Sequence, residues 1–167
     1  MARPIPNNRE RVFEASEIVV SKTDTKGRIT YGNDLFIELS GYKELELLGA
    51  HHNIVRHPDM PRVIFKFLWD YIKKGEEINA YVKNLSKDGS YYWVLANVTP
   101  SFDHKNQVVG YYSVRRKPRL EALEVIKPLY KKLLEIEKSQ GMEGSERHLQ
   151  EILNQQGKSY EEYVLSL

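Results

Sequence analysis

Ser86-Lys87-Asp88-Gly89 stands between two long β-rich runs, Ile78–Leu85 and Ser90–Thr99, and its reading decides the fold. A short polar connection with glycine where the backbone needs a positive φ is a hairpin turn, so the flanking runs pair as antiparallel strands. A third run, Val108–Lys117, follows. Upstream, Ile18–Thr23 and Arg28–Tyr31 flank Asp24-Thr25-Lys26-Gly27, which reads as a second hairpin. Five strands result, with helical sequence between the second and the third.

Side chains alternate along a strand, so a pocket wall can be read from the sequence. If Asn84 faces inward, so do Val82, Ala80 and Ile78, while Lys83, Tyr81 and Asn79 face out. Tyr92, Val94, Ala96 and Val98 share a face on the next strand, with Trp93, Leu95 and Asn97 on the other. On the last strand Val108, Gly110, Tyr112 and Val114 oppose Val109, Tyr111, Ser113 and Arg115, and Tyr112 is expected to point inward. This face is small and aliphatic, with one amide and one phenol. It suits a flat, mainly apolar ring with a polar edge. An ordinary half-buried sheet accounts for the Val and Ala residues, but a buried Asn84 without a partner costs a few kcal/mol.

The helices follow from caps and apolar spacing. Asn33 or Asp34 opens a helix carrying Leu35, Phe36 and Leu39, which Gly41 ends, and Tyr42–Leu48 forms another short one. Val63 to Ile72 form a helix of about four turns closed by Gly75. Phe65, Leu68 and Ile72 share one of its faces, and Trp69 borders it. Asn7 or Asn8 is expected to cap an N-terminal helix running to about Ala15. In the tail, Leu120, Leu123, Ile126, Leu129, Leu133 and Ile136 recur at helical spacing, with Pro128 expected to kink or restart the helix. Ser145 reads as the cap of a helix ending near Gly157, and Ser159 with Glu162 as a capping box for a last one. The expected organisation is a helical cap over residues 1–16, an α+β domain over 17–117 and a helical extension over 118–167.

Asn53-Ile54-Val55-Arg56-His57-Pro58-Asp59-Met60-Pro61 reads as a rigid polar loop. It places a cation, an imidazole and a carboxylate within four positions, and two prolines hold its backbone extended. Beside an apolar helix, such a loop suits an anionic ligand. The alternative is a surface turn in which Asp59 caps the helix at Met60 and Arg56 pairs with a nearby acid.

These segments resemble a PAS sensor domain of the aerotaxis-receptor type. The resemblance rests on Asp24-Thr25-Lys26-Gly27-Arg28-Ile29-Thr30-Tyr31-Gly32-Asn33, on Leu39-Ser40-Gly41-Tyr42, and on Lys87-Asp88-Gly89-Ser90-Tyr91-Tyr92-Trp93 with Asn97-Val98-Thr99-Pro100. The Val-Arg-His-Pro-Asp-Met-Pro loop characterises the flavin-binding aerotaxis branch. It implies a PAS fold: a five-stranded antiparallel sheet with helices over one face. It also implies non-covalent FAD, with Asn84 bonding the uracil-like edge of the isoalloxazine and Trp69 contacting the flavin. Arg56, His57 and Asp59 match the loop residues needed for FAD, and Asn53 belongs to the same loop. Arginine can grip a pyrophosphate and His57 can donate to phosphate or stack on adenine, whereas Asp59 would hold Arg56, the loop backbone or a ribose hydroxyl. Where light-sensing LOV relatives place a second asparagine, this chain has Val94, and Tyr112 is expected where they place a glutamine. A histidine-ligated haem using His51, His52 or His57 is the alternative cofactor, and a small apolar metabolite, or no ligand at all, is a third case. His51 and His52 themselves read as exposed surface residues.

Composition narrows the rest. The 167 residues are 41% hydrophobic, enough for one core. Lysine and arginine number 25 against 23 acids, without the basic excess of a nucleic-acid binder. There is no cysteine, which excludes disulfides, thiolate catalysis, iron–sulfur clusters and the cysteinyl-flavin adduct of LOV photoreceptors. No HExxH motif, Gly-rich phosphate loop or Ser/His/Asp set stands out, so an enzyme is not expected. No apolar run approaches a membrane span and no signal-peptide core is present, so a cytoplasmic location is expected. The tail has no room for a kinase, methyl-accepting or DNA-binding segment. The expected partner is a membrane-bound methyl-accepting chemotaxis receptor on another chain, as for the separate PAS half of a bipartite energy-taxis system, and a homodimer is left open.

Overall fold

A computed structural model describes residues 2–167. The two hairpins form as expected. β1 (Val19–Thr23) pairs antiparallel with β2 (Ile29–Gly32), and β3 (Ile78–Leu85) pairs with β4 (Tyr91–Phe102), Asn84 standing opposite Tyr92. β5 (Val108–Arg116) then slots between the hairpins, pairing with β1 on one side and β4 on the other. The order is β2-β1-β5-β4-β3, all antiparallel, which leaves β2 and β3 as edges.

The segment between β2 and β3 covers one face of this sheet. α1 (Asp34–Ser40) is capped by Asn33, whose side chain accepts the Phe36 amide, and Gly41 ends it in the left-handed region. α2 (Glu44–Leu47) and a 3-10 turn over His52–Val55 lead to the polar loop and to α3 (Arg62–Lys73). Phe36, Leu47, Ile64 and Ile72 are fully buried between these helices and the sheet.

Two expectations fail at the ends of the chain. The N-terminal segment is not a helix but an extended strap. The Tyr91 amide donates to the Arg9 carbonyl and the Arg11 amide to the Tyr91 carbonyl, so it pairs in parallel with the start of β4. Arg11 anchors it by an ion pair to Asp88 at 3.0 Å and a hydrogen bond to Ser90 Oγ at 2.7 Å. It crosses the hairpin turn so closely that a Cβ at Gly89 would run into the Ile5 carbonyl. An exposed β4 start offering free backbone groups outcompetes a helix with only Val12 and Phe13 as apolar contacts.

In the tail, α4 (Leu120–Gln156) runs straight through Pro128, which is exposed so that water can satisfy the carbonyl it leaves free. The break lies at Gly141 instead, with φ 73° and ψ −177°. Ser145 is buried inside the helix and caps nothing, whereas Gly157 ends α4 and Ser159 caps α5 (Tyr160–Leu165) as expected. The two helices wrap the β3 edge. Tyr130 donates to the Tyr81 carbonyl at 2.5 Å and its ring meets Trp93, while Glu161 accepts from both the backbone and the side chain of Asn79. Tyr81 and Trp93, expected to face out, are therefore buried.

Candidate functional site

Between α3 and the sheet lies a cavity of about 160 Å³. α3 contributes Phe65, Leu68, Trp69 and Ile72, the face expected from its spacing, with Trp69 set edge-on to Tyr111 at 5.6 Å between ring centroids. The sheet contributes Val82 and Asn84 from β3, Ala96 and Val98 from β4, and Ser21 and Thr23 from β1. His51, His52, Asn53, Val55 and Arg56 close the end nearest the polar loop. The space is smaller than the roughly 300–1,000 Å³ of a drug-sized ligand's pocket, so it suits one flat ring system with any further part of a ligand lying at the mouth.

Asn84 faces the cavity as expected. It is 4% exposed, and its Nδ2 has no hydrogen-bond partner. Its backbone bridges to Arg56, which ties the loop to β3. Arg56 is half-buried with its guanidinium 3.7 Å from the Phe65 ring centroid, and among the described residues it makes no ion pair. Burial lowers its pKa, yet a guanidinium stays charged. Asn53 sits exposed at the mouth. Val94 is fully buried opposite Val82 but packs in the core without lining the cavity.

His57 and Asp59 lie elsewhere. The His57 ring is 3% exposed, accepts the Asp59 amide on Nδ1 at 3.0 Å and meets Tyr91 edge-on. Burial, aided by the Lys83 charge, pushes its pKa down to about 4, so it is neutral near pH 7. It does not line the cavity and serves as a lock on the loop. Asp59 pairs with Lys83 at 3.0 Å, not with Arg56, and α3 begins at Arg62 after Pro61, so Asp59 does not cap it. The first amide of α3 is taken by a distant residue: Glu137 of α4 accepts from Arg62 N at 2.6 and 3.0 Å. Two prolines hold the loop extended through position 61 and postpone the helix.

The inner face of β5 is the opposite of the one expected. Val98 stands opposite Ser113, and Ala96 opposite Arg115, so Tyr111, Ser113 and Arg115 line the cavity. Tyr112 points away, with Lys22 over its ring at 5.4 Å. The β4–β5 register shifts between Ser101 and Phe102, and a one-residue slip turns every side chain over.

Arg115 is the site residue that sequence reasoning missed. It is 2% exposed, with Nη2 donating to Ser21 Oγ at 2.7 Å and Nη1 3.3 Å from His52 Nε2. His52, expected at the surface, stacks on Phe36 and lies 2.9 Å from Ser21 Oγ. Burial and the Arg115 charge push its pKa down to about 3, so the ring is neutral, and the Arg115 Nη1 donor facing it makes Nε2 the acceptor. Burial also draws Arg115 down to about 10, which leaves it protonated at neutral pH. A basic residue inside an otherwise apolar strand was the available signal, hidden because Arg116 and Lys117 follow it and make it look like a strand end.

A five-stranded antiparallel sheet in the order β2-β1-β5-β4-β3, helices over one face and a cavity beneath them agree with a match to the family model described as PAS fold, over residues 29–115. This chain belongs to the PAS family. The PAS chain is 44% identical over 115 residues to the aerotaxis receptor of Escherichia coli (strain K12), covering 69% of this chain and 22% of that protein. It is 25% identical over 105 residues to the nitrogen fixation regulatory protein of Klebsiella pneumoniae, covering 63% and 21%. It thus spans about a fifth of these relatives. Among solved structures, a light-oxygen-voltage domain from a study of a flavin analogue superposes with a TM-score of 0.61 at 22% identity, covering 68% of this chain and 86% of that one, which shows the shared fold. No helix among the described residues is long and apolar enough to cross a membrane.

Proposed function

We propose that this PAS domain binds FAD non-covalently and signals cellular redox state in an aerotaxis-type response, passing it to a methyl-accepting chemotaxis receptor on another chain. The observation that carries the cofactor is Asn84. A buried amide donor with no partner costs about 1–3 kcal/mol, and a ligand acceptor in the cavity would recover it. The other residues fit the same group. Trp69, Leu68, Ile72, Val82 and Val98 supply an apolar slot that excludes water, Asn84 would donate to the uracil-like edge, and Arg56 at the mouth has no carboxylate partner and would meet a pyrophosphate. Asn53 lies beside it at the mouth. When bound, the flavin supplies a reversible change of charge and hydrogen bonding; the chain orients the ring and couples that change to β3, β5 and α3. The 44% identity to an aerotaxis receptor supports the signalling role, and a flavin analogue in the superposed light-oxygen-voltage study supports the ligand class.

Purified protein, denatured, should release a flavin that chromatographs as FAD. A Soret band, or colourless protein that cannot be reconstituted with FAD, would overturn the cofactor. Equal receptor affinity of the oxidised and reduced protein, measured anaerobically, would overturn the output, because a ligand state shifts a partner only by its differential binding energy.

A further inference from the structure

A second cavity, of about 410 Å³, lies on the other side of the sheet, between α4 and the strands β3 and β4. Lys127, Tyr130, Lys131 and Leu134 reach it from one face of α4, since positions three and four apart on a helix are neighbours. Lys83 of β3 faces them, with Tyr91 and Trp93 of β4 beside it. Trp93 and Tyr130 are buried, with ring centroids 5.9 Å apart, and form an aromatic floor. Lys127 and Lys131 are exposed at the rim. The Lys83 ammonium lies 4.5 Å from the Tyr91 ring centroid and 3.0 Å from the carboxylate of Asp59, which completes the lining.

Charge and shape together define what this cavity can hold. Ammonium groups on two facing walls outnumber the carboxylate three to one, an excess of two positive charges. Among the described residues Lys127 and Lys131 make no ion pair, so an anion between the walls would relieve the repulsion of like charges. A phosphate monoester carries about −1.5 to −2 at neutral pH, which matches the excess. The aromatic floor favours a flat ring over a bare ion. The volume falls within the roughly 300–1,000 Å³ of small-molecule pockets.

We propose that this cavity binds a small phosphorylated aromatic molecule of the nucleoside monophosphate class, at a site separate from the cavity beneath α3. The phosphate sits among Lys83, Lys127 and Lys131, and the ring lies against Trp93 and Tyr130. Asp59 holds Lys83 in place and can accept from an amino or hydroxyl group of the ligand at the rim. α4 carries both rim lysines and Glu137, so the ligand engages the helix that caps α3.

The test is isothermal titration calorimetry of the purified full chain with AMP, adenosine and inorganic phosphate. AMP should bind at one site, about tenfold or more tighter than adenosine or phosphate alone, and added salt should weaken it. The double variant Lys127→Gln/Lys131→Gln, which removes two exposed charges at the rim, should weaken AMP by about tenfold or more. Lys132→Gln/Lys138→Gln removes the same charge from exposed positions of α4 outside the cavity and should leave AMP affinity as in the wild type. Absence of AMP binding overturns the proposal, and so does affinity that survives in the rim variant. Equal weakening in both double variants overturns it as well, because overall charge alone would then be responsible. Adenosine or phosphate binding as tightly as AMP overturns it too, since the cavity would then not read ring and phosphate together.

Discussion

Arg56 and Asn84 touch through their backbones, but in the proposed FAD complex their side chains would address different parts of the dinucleotide, and ligand series would separate them. Arg56→Ala should weaken FAD by about 1.5–3 kcal/mol, one to two decades in Kd, for a charge-assisted phosphate contact. Riboflavin should suffer less. Asn84→Ala should weaken FAD, FMN and riboflavin alike, because they share one ring. Equal loss of riboflavin and FAD in Arg56→Ala would show that the loop acts only as a folding element. His57 gives a second prediction. Its folded pKa of about 4 lies below its ordinary 6.5, so in acid the unfolded chain binds the proton first. Stability is therefore complete above about pH 6.5 and falls as pH drops toward 4, by about 1.4 kcal/mol per pH unit for each such histidine. His52 adds to the same slope down to about pH 3. Urea unfolding at several pH values should show this slope, and His57→Gln should reduce it. At this scale Asn84 and Trp69 were legible, since an amide among aliphatics and a helical face are local patterns. His57 was not, because its ring turns away from the cavity to accept the Asp59 amide, a choice no local pattern encodes.

Hairpins and capped helices were readable at the scale of elements because turn glycines and Asn33 act within a few residues. Failures came where an element is defined by a distant one. The strap needs β4, and the inward face of β5 depends on pairing with β1 and β4 at once. α3 shows the same dependence. Pro61 offers it no side-chain cap, and the carboxylate that serves comes from Glu137, 75 positions away along the chain. Glu137→Ala should cost about 1–2 kcal/mol, the range for a lost N-cap, read by urea unfolding. Because α3 carries Phe65, Leu68 and Trp69, the same variant should also weaken FAD binding. Unchanged flavin affinity would show that the cavity wall does not depend on this cap.

α4 and α5 cover the β3 side of the outer sheet face, and Tyr111, expected to face out, belongs to the cavity. Leu95 and Tyr112 remain partly exposed on that face. Leu95→Glu and Tyr112→Glu should leave FAD bound and abolish redox-dependent association with the proposed receptor, tested by anaerobic pull-down. Loss of FAD in both would show that these positions serve the core instead.

The carboxylate that α4 lends to α3 also bears on inheritance. A reading frame cut after residue 117 follows the visible boundary between sheet and tail, yet it separates the binding wall from the group that fixes its first turn. Recombination at that seam would move a PAS module that folds around a looser cavity, whereas a crossover after α5 would carry sheet and brace as one heritable unit. Chimeras joined at the two seams should therefore differ in flavin retention even when their sheets are identical, and equal retention would mean that the tail travels as a passenger.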